Sequence, residues 1–414
     1  MKVLLCHTRY QQRGGEDEVY DSEAQTLEEH GHAVVRFLRH NDVLSGMGKL
    51  EAAGRTVWNP EVYHDLRGLI RRERPDVMHV TNTFPLISPA AHYAARAEGV
   101  PVVQALHNYR FLCPSALFLR DGKVCESCLG KSVPWPAVQH KCYRESSAAT
   151  AAVAALSVAH RWLGTWRRAV DLYFTLTEFA KRKFVEGGFD PDRIVVKPNC
   201  VHPTPEPGDG KGGYAVFVAR LSAEKGLDTL LDAWARMARP VRLKVIGDGP
   251  LAERVRAAAS ADPRIEYLGR LPLSQVLEVI GGAECLVMPS VWYETFGRTI
   301  IEAYAKGTPV IASRLGAMAE LVDEGRTGLL FTPGDSAALV EAVERLLADP
   351  DALSRMRPAA RREFETKYTA ETNYRQLIDI YDRAIEIAAR KRAGGNRPTR
   401  DNRILLPVLG DQGS

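Results

Sequence analysis

No part of the chain is apolar for long enough to cross a membrane. The longest nearly apolar run, Ala148–Ala159, is twelve residues interrupted by Thr150 and Ser157, short of the ~18 that a spanning helix needs. The opening MKVLLCHTRY has four apolar residues after Lys2, too few for the ~7–15 of a secretory h-region. The chain is therefore expected in the cytoplasm. Glycine (33) and proline (24) stand near ordinary usage, which excludes collagen-like, mucin-like and disordered classes. Charge of one sign is also scarce. Lys and Arg total 55 against 51 Asp and Glu, a net +4, which does not point to nucleic acid as a partner. A length of 414 residues predicts two or three domains at ~100–200 residues each.

Charge is uneven along the chain. Residues 101–200 hold 14 Lys and Arg against 8 Asp and Glu, and the stretch from Arg390 to the end holds 6 against 2. A surplus of that kind faces an acidic substrate or an anionic membrane, or it is a solvated face with no partner.

Short β-branched runs alternate with amphipathic stretches. Val3–Cys6, Ala33–Leu38, Val77–Val80, Val102–Ala105, Leu172–Leu176 and Ile194–Lys197 form one set of candidate strands. Ala215–Ala219, Leu243–Ile246, Ile265–Leu268, Cys285–Met288, Val310–Ala312 and Gly328–Phe331 form a second. Strands that are apolar throughout and alternate with helices indicate parallel sheets covered on both faces. The Pro/Gly-rich stretch His202–Gly213 separates the two sets and reads as a linker. The expected architecture is α/β, with two doubly wound Rossmann-like parallel-sheet domains facing each other across a cleft. The domains run over 1–200 and 213–370, with a linker over 201–212 and a Cys-rich insert over 107–145. A helix over 371–389 carries Tyr374, Leu377, Ile378, Tyr381 and Ile385 on one stripe. Residues 390–414 lack periodicity and are expected to be a disordered tail.

The densest chemistry lies in Met288–Ala305, a strand end, a polar loop and a helix start near Phe296 or Gly297. Unpaired N–H groups and the positive dipole end at such a start suit a phosphate. Glu294 lies just before that helix and Glu302 five residues after Gly297, about 7.5 Å along the axis. Two carboxylates flanking a diphosphate suit the two sugars of a nucleotide-sugar. In Val218–Asp228, Arg220 ends a strand and Lys225-Gly226 opens the next helix. Cations at a helix start oppose the dipole, and a bound anion between them explains the placement. They would stabilise charge developing on a departing pyrophosphate. Gly14 and Gly15 follow the first strand and leave room for a ligand to approach backbone, or they form a plain turn. His107 follows the strand Val102–Ala105 and faces the same cleft, or is a structural histidine.

The segments VARLSAEKG, IGDGP, YLGR and ETFGRTIIEAYAKGTPVIAS, in that order, resemble the nucleotide-binding domain of glycosyltransferase family 4. The likeness covers about 213–345 and is looser over 1–200. It implies the two-domain GT-B fold and transfer that retains anomeric configuration. It implies further that Glu294 contacts donor-sugar hydroxyls, Glu302 the ribose, and Arg220 and Lys225 the diphosphate. Backbone at Phe296 and Gly297 would approach the sugar, and Gly15 and His107 would reach the donor from the opposite face. The helix over 371–389 would cross back to the first domain.

The reaction so implied moves a sugar from a nucleoside diphosphate sugar to a hydroxyl acceptor, in the setting of polysaccharide, lipopolysaccharide or glycolipid assembly. It is read as needing no metal or cofactor, with Arg220 and Lys225 in place of a metal-bound Asp-x-Asp pair. The alternatives are a non-catalytic two-lobed nucleotide-sugar-binding protein and a nicotinamide oxidoreductase. No G-x-G-x-x-G directly follows a candidate strand, which counts against the oxidoreductase.

Two features lie outside that likeness. Cys113, Cys125, Cys128 and Cys142, spaced C-x11-C-x2-C-x13-C, suit tetrahedral structural zinc, with His140 as a substitute ligand. Reduced unliganded thiols and redox chemistry are the other readings. Just beyond, Leu156, Leu163, Trp166 and Val170 share a helical stripe, with Arg161, Arg167 and Arg168 nearby. The stripe is expected to pack into the first domain's core; the alternative is peripheral contact with an anionic bilayer, at the inner membrane face.

Overall fold

The structure is a computed structural model and describes residues 1–11 and 14–394. The N-terminal lobe contains β1 (Lys2–Arg9), β2 (Ala33–His40), β3 (Val77–Asn82), β4 (Val102–Ala105), a hairpin of β5 (Leu119–Arg120) and β6 (Lys123–Val124), β7 (Leu172–Thr175) and β8 (Ile194–Val196). Its six-stranded sheet runs β2-β1-β3-β4-β7-β8. The C-terminal lobe contains β9 (Tyr214–Val218), β10 (Arg242–Ile246), β11 (Ile265–Gly269), β12 (Cys285–Met288), β13 (Val310–Ser313) and β14 (Gly328–Phe331), in the order β11-β10-β9-β12-β13-β14. Every pairing in both large sheets is parallel. Helices cover both faces, so the central strands β3, β4, β12 and β13 are buried at every position. That burial explains why the strands read as mainly apolar runs without strict alternation.

Chain order reverses direction around β1 in the first sheet and around β9 and β12 in the second. Loops leaving the carboxyl ends of these strands diverge and open a crevice, the usual ligand position in such sheets. The segments read from the sequence as chemical all leave such ends: Gly14-Gly15 after β1, His107 after β4, Arg220 after β9 and Glu294 after β12.

The stretch between the lobes lies against the second one. Backbone N–H groups of Gly208, Gly210 and Gly212 donate to the carbonyls of Lys306, Gly281 and Gly282 at 2.8–3.0 Å. The helix Pro350–Lys367 belongs to the second lobe, where Phe364 joins the core beside Ile301 and Tyr304. After Tyr368 the helix Ala370–Gly394 lies on the first lobe: Leu377, Ile380, Tyr381 and Ala384 pack with Leu5, Val103 and Phe174. The Tyr381 hydroxyl meets His79 Nδ1 at 2.8 Å. This helix continues through Arg390 to Gly394, so the first residues of the supposed tail are helical. Residues 395–414 lie outside the described residues.

One expectation is overturned here. Leu156, Leu163, Trp166 and Val170 do not share a helix. The helix Ser147–Trp162 ends at Leu163, Gly164 turns the chain with φ +65°, and a separate turn of helix spans Thr165–Arg168. Leu156 and Val170 are buried, whereas Leu163 is 58% exposed. A glycine in the left-handed region ends a helix at little cost, which periodicity alone does not register.

Candidate functional site

Gly226 holds the second-lobe half of the site together. Its φ is +72°, and a Cβ there would stand 1.8 Å from the Pro289 carbonyl oxygen. Only glycine lets the loop after β9 press against the loop after β12. Val291 N–H donates to Glu224 O at 3.0 Å across the same junction. The approach delivers Lys225 Nζ to Glu294 Oε1 at 2.7 Å, and the Ser290 hydroxyl donates to the same oxygen at 2.8 Å. Lys225 therefore pairs with Glu294; Glu224 instead accepts from the Ser222 hydroxyl at 2.5 Å. Glu294 is buried and Lys225 half-buried, with its ammonium 5.0 Å from the centre of the Trp292 ring. Arg220 is exposed at the end of β9 and makes no ion pair among the described residues.

Gly297 caps the helix Arg298–Ala305 with φ +92°, bending the chain so that Phe296 is buried below and the helix start opens into the crevice. Glu302 sits one turn into that helix. Its carboxylate is 3.0 Å from Arg298 Nε, and burial nevertheless keeps its pKa above the ordinary carboxylate value.

The first lobe supplies the opposite wall. Gly14 N–H donates to the Asp17 carboxylate at 3.0 Å, and Asp17 also meets His7 Nε2 at 2.8 Å. Asp17 is thus a buried cap and not merely a dipole-favoured acid at a helix start. Cβ atoms on Gly14 or Gly15 would meet nothing within 4 Å. His107 is buried against Phe174, and neither ring nitrogen has a partner. Burial draws its pKa down to about 3, so the ring is neutral. Beneath it lies a buried ion pair that sequence reasoning missed, Lys197 Nζ to Glu23 Oε1 at 2.6 Å. Burial pushes the Glu23 carboxyl up, but the Lys197 ammonium beside it holds it below the ordinary value.

The two walls enclose one cleft of about 590 Å³. Arg220, Lys225, Glu294, Phe296 and Gly297 border it from the second lobe, and Gly15 and His107 from the first. Gly14 and Glu302 do not line it. Cleft residues that the motifs did not single out include Tyr10, Glu16, Asn108, Arg110, Ser290 and Arg298. Glu16 accepts from the Tyr10 hydroxyl at 2.8 Å and from Asn108 Nδ2 at 2.9 Å. Burial raises its pKa. All six lie within a few residues of a strand's carboxyl end or of a motif, the positional signal that could have found them.

Asp-x-Asp occurs twice in the chain, as Asp190-Pro-Asp192 and Asp349-Pro-Asp351. Neither borders the cleft. Asp190 accepts from Asp192 N–H at 3.0 Å and Asp349 caps the next helix through Ala352 N–H at 2.8 Å.

The lobes touch around the Glu294 loop. Glu320 of the second lobe accepts from the N–H groups of Glu178 and Phe179 at 2.8 and 2.6 Å. Tyr293 packs edge-on against Phe179, with ring centres 4.7 Å apart, and against Phe118 of the Cys-rich insert at 6.1 Å. Cys113, Cys125, Cys128 and Cys142 converge on a single cavity of about 10 Å³ within that insert. All four are free thiols. Burial pushes Cys128 up to about 11, and the neighbouring sulfurs add to the shift. Cys113 Sγ and Cys125 Sγ lie 3.2 and 3.4 Å from the hydroxyls of Ser115 and Ser127. The donor chemistry suits zinc, but as folded no three His, Cys, Asp or Glu among the described residues stand where they could hold a metal ion. His140 is exposed and does not border the cavity.

Comparison with known proteins agrees with this architecture. Residues 14–200 match the family model for a glycosyl transferase 4-like domain, and residues 212–349 match glycosyl transferases group 1. The alpha-D-kanosaminyltransferase of Streptomyces kanamyceticus is 27% identical over 69% of this chain and 72% of its own length. The alpha-maltose-1-phosphate synthase of Mycolicibacterium smegmatis is 34% identical over 46% of this chain and 57% of its own. Among solved structures, sucrose-phosphate synthase from Thermosynechococcus elongatus superposes with a TM-score of 0.69 at 16% identity, covering 93% of this chain and 99% of that one. An Anabaena protein in complex with UDP gives 0.66 at 17% identity, covering 92% and 99%. Paired parallel sheets, a cleft at their switch points and a family match to each lobe place this chain among the GT-B glycosyltransferases of group 1 and 4-like type.

Proposed function

We propose that this protein transfers a sugar from a nucleoside diphosphate sugar to a hydroxyl acceptor with retention of configuration and without a metal ion. The observation that carries the reading is the single cleft in which Arg220, Lys225 and Glu294 face His107 and Gly15. A UDP-sugar is the favoured donor, because structural neighbours have been solved with UDP and with UDP-glucose.

The diphosphate lies between Arg220, Lys225 and the start of the helix Arg298–Ala305, whose N–H groups and dipole suit an anion. Lys225 is tethered by Glu294, so binding redirects a cation already in place rather than recruiting a mobile one. Glu294 and the backbone at Phe296 and Gly297 hold the donor sugar, and Glu302 reaches the ribose once its contact with Arg298 opens. Neutral His107, with two unused ring nitrogens, hydrogen-bonds the sugar or phosphate from the facing wall. The bond from the anomeric carbon to the departing phosphate breaks. The acceptor oxygen joins that carbon on the same face, and its proton passes to the departing phosphate oxygen. Fixed cations at that oxygen stabilise the charge as it develops.

For the insert, the spacing and donor chemistry of the four cysteines support a structural zinc, which would require their side chains to draw together from the positions they hold as folded. The acceptor setting is polysaccharide, lipopolysaccharide or glycolipid assembly, in the cytoplasm.

A thermal-shift panel of nucleoside diphosphates and their sugars, followed by slow donor hydrolysis without acceptor, tests the reading. Stabilisation by UDP together with release of free sugar is expected. Stabilisation without any turnover would leave a binding protein, and no stabilisation by any nucleotide would remove the reading altogether.

A further inference from the structure

The helix Ser147–Trp162 bears no charged residue before Arg161. Its most exposed positions after Ser147, namely Ala148, Ala151, Ala155 and Trp162, fall on one stripe. A solvent-facing stripe is ordinarily charged or polar; this one is apolar along its whole length. At its end Trp162 is 88% and Leu163 58% exposed. The segment leading into Trp135 runs alongside, because Arg161 Nη1 donates to Lys131 O at 2.7 Å. It adds Val133 and Trp135, 48% and 65% exposed. By contrast, Leu273 is the sole large apolar side chain so exposed on the second lobe among the described residues.

Cations rim the same end of the helix. Arg161, Trp162, Arg167 and Arg168 border a surface cavity of about 400 Å³. With Lys131 they form no ion pair among the described residues. Two acids also face this cavity. Glu186 pairs with Lys183 at 2.8 Å, and Asp190 is outweighed by the arginines of the same lining, Arg161, Arg167, Arg168 and Arg193. The local balance therefore stays positive.

Exposed tryptophans beside uncompensated arginines, on a helical face without charge, match the interface of an anionic bilayer. Indole rings favour the headgroup level, and each Lys or Arg near the surface adds about fivefold to partitioning. We propose that the face formed by Ser147–Gly164 and Lys131–Trp135 docks this lobe on an anionic lipid surface. The inference does not depend on the donor chemistry. No helix among the described residues is long and apolar enough to cross a membrane.

The experiment is co-sedimentation of the full chain with phosphatidylcholine vesicles, with and without phosphatidylglycerol, over a salt series. Wild-type protein is expected to pellet with the anionic vesicles and to release as salt rises. Trp162→Ser with Leu163→Ser should weaken partitioning at least about tenfold, and Arg167→Glu with Arg168→Glu should weaken it by more than about twentyfold. Circular dichroism and the melting temperature of both variants should match wild type, which establishes that they fold. The proposal is overturned if wild-type protein stays in the supernatant at low salt, or if the Trp162/Leu163 variant pellets like wild type. It is equally overturned if the patch instead holds two copies together, seen as a dimer in sedimentation velocity that the Trp162→Ser change dissolves.

Discussion

Glu294→Ala tests the centre of the site, and its two consequences can be separated in size. The carboxylate accepts from Ser290 at 2.8 Å and pairs with Lys225 at 2.7 Å. Removing it leaves the buried Ser290 hydroxyl without its acceptor, at about 1–3 kcal/mol. Lys225 keeps 21% side-chain exposure and can turn to water, so its loss adds under about 1 kcal/mol. A total near 2 kcal/mol lies well inside the ~5–15 kcal/mol by which folded domains are stable, and the variant should fold with a modestly lowered melting temperature. Transfer should fall at least about 100-fold, since losing one group that stabilises the transition state costs roughly 2.7–4 kcal/mol. Glu294→Gln preserves the shape and can still accept from Ser290, so its stability should lie near wild type while transfer stays low. The assay is sugar transfer or donor hydrolysis, with circular dichroism on the same samples. Activity within about threefold of wild type for a folded Glu294→Ala protein would refute the assigned role.

Three further outcomes are expected. Gly226→Ala forces a Cβ toward the Pro289 carbonyl in the left-handed region and should cost at least about 1–3 kcal/mol along with activity; Gly15→Ala meets open space and should leave stability intact while raising the KM for donor. Burial holds His107 down to about 3, and His79 and His92 to about 4. Between those values and the ordinary ~6.5 the unfolded chain binds the extra protons, so stability is complete above about pH 6.5. It should fall by up to about 1.4 kcal/mol per pH unit for each such histidine as pH drops toward 4, and urea midpoints at pH 7.5 and 5.5 measure it; equal midpoints would contradict the buried neutral rings. Metal analysis of protein purified without chelator should find one zinc per chain; well under one leaves the cysteine cluster as plain thiols.

Much of the fold was legible because strands of a parallel sheet covered by helices are mainly apolar. Twelve mainly apolar runs read as strands, and each lies in one of the two large sheets. The Glu294 and Lys225 segments were legible because each joins a strand end to a helix start within one short stretch. Other features depend on residues far apart in sequence. Glu23 and Lys197 are 174 positions apart, and neither segment hints at a buried pair. The partner of Lys225 was hidden for the same reason, since Glu294 arrives from another strand only because Gly226 admits Pro289. The small β5–β6 hairpin escaped notice because two-residue strands carry no period. The broken stripe at Leu163 shows the opposite failure, a periodicity that persists through a glycine turn.

The sequence by itself determined what local order can encode: which runs are strands, where helices begin, and which charged groups stand at those junctions. Tertiary structure alone decided which junctions meet, because contacts across two lobes depend on sheet order and on the few glycines that permit close approach. It also decided which apolar residues stay outside. Burial belongs to a surface and its neighbours, and no run of letters specifies what will cover Trp162.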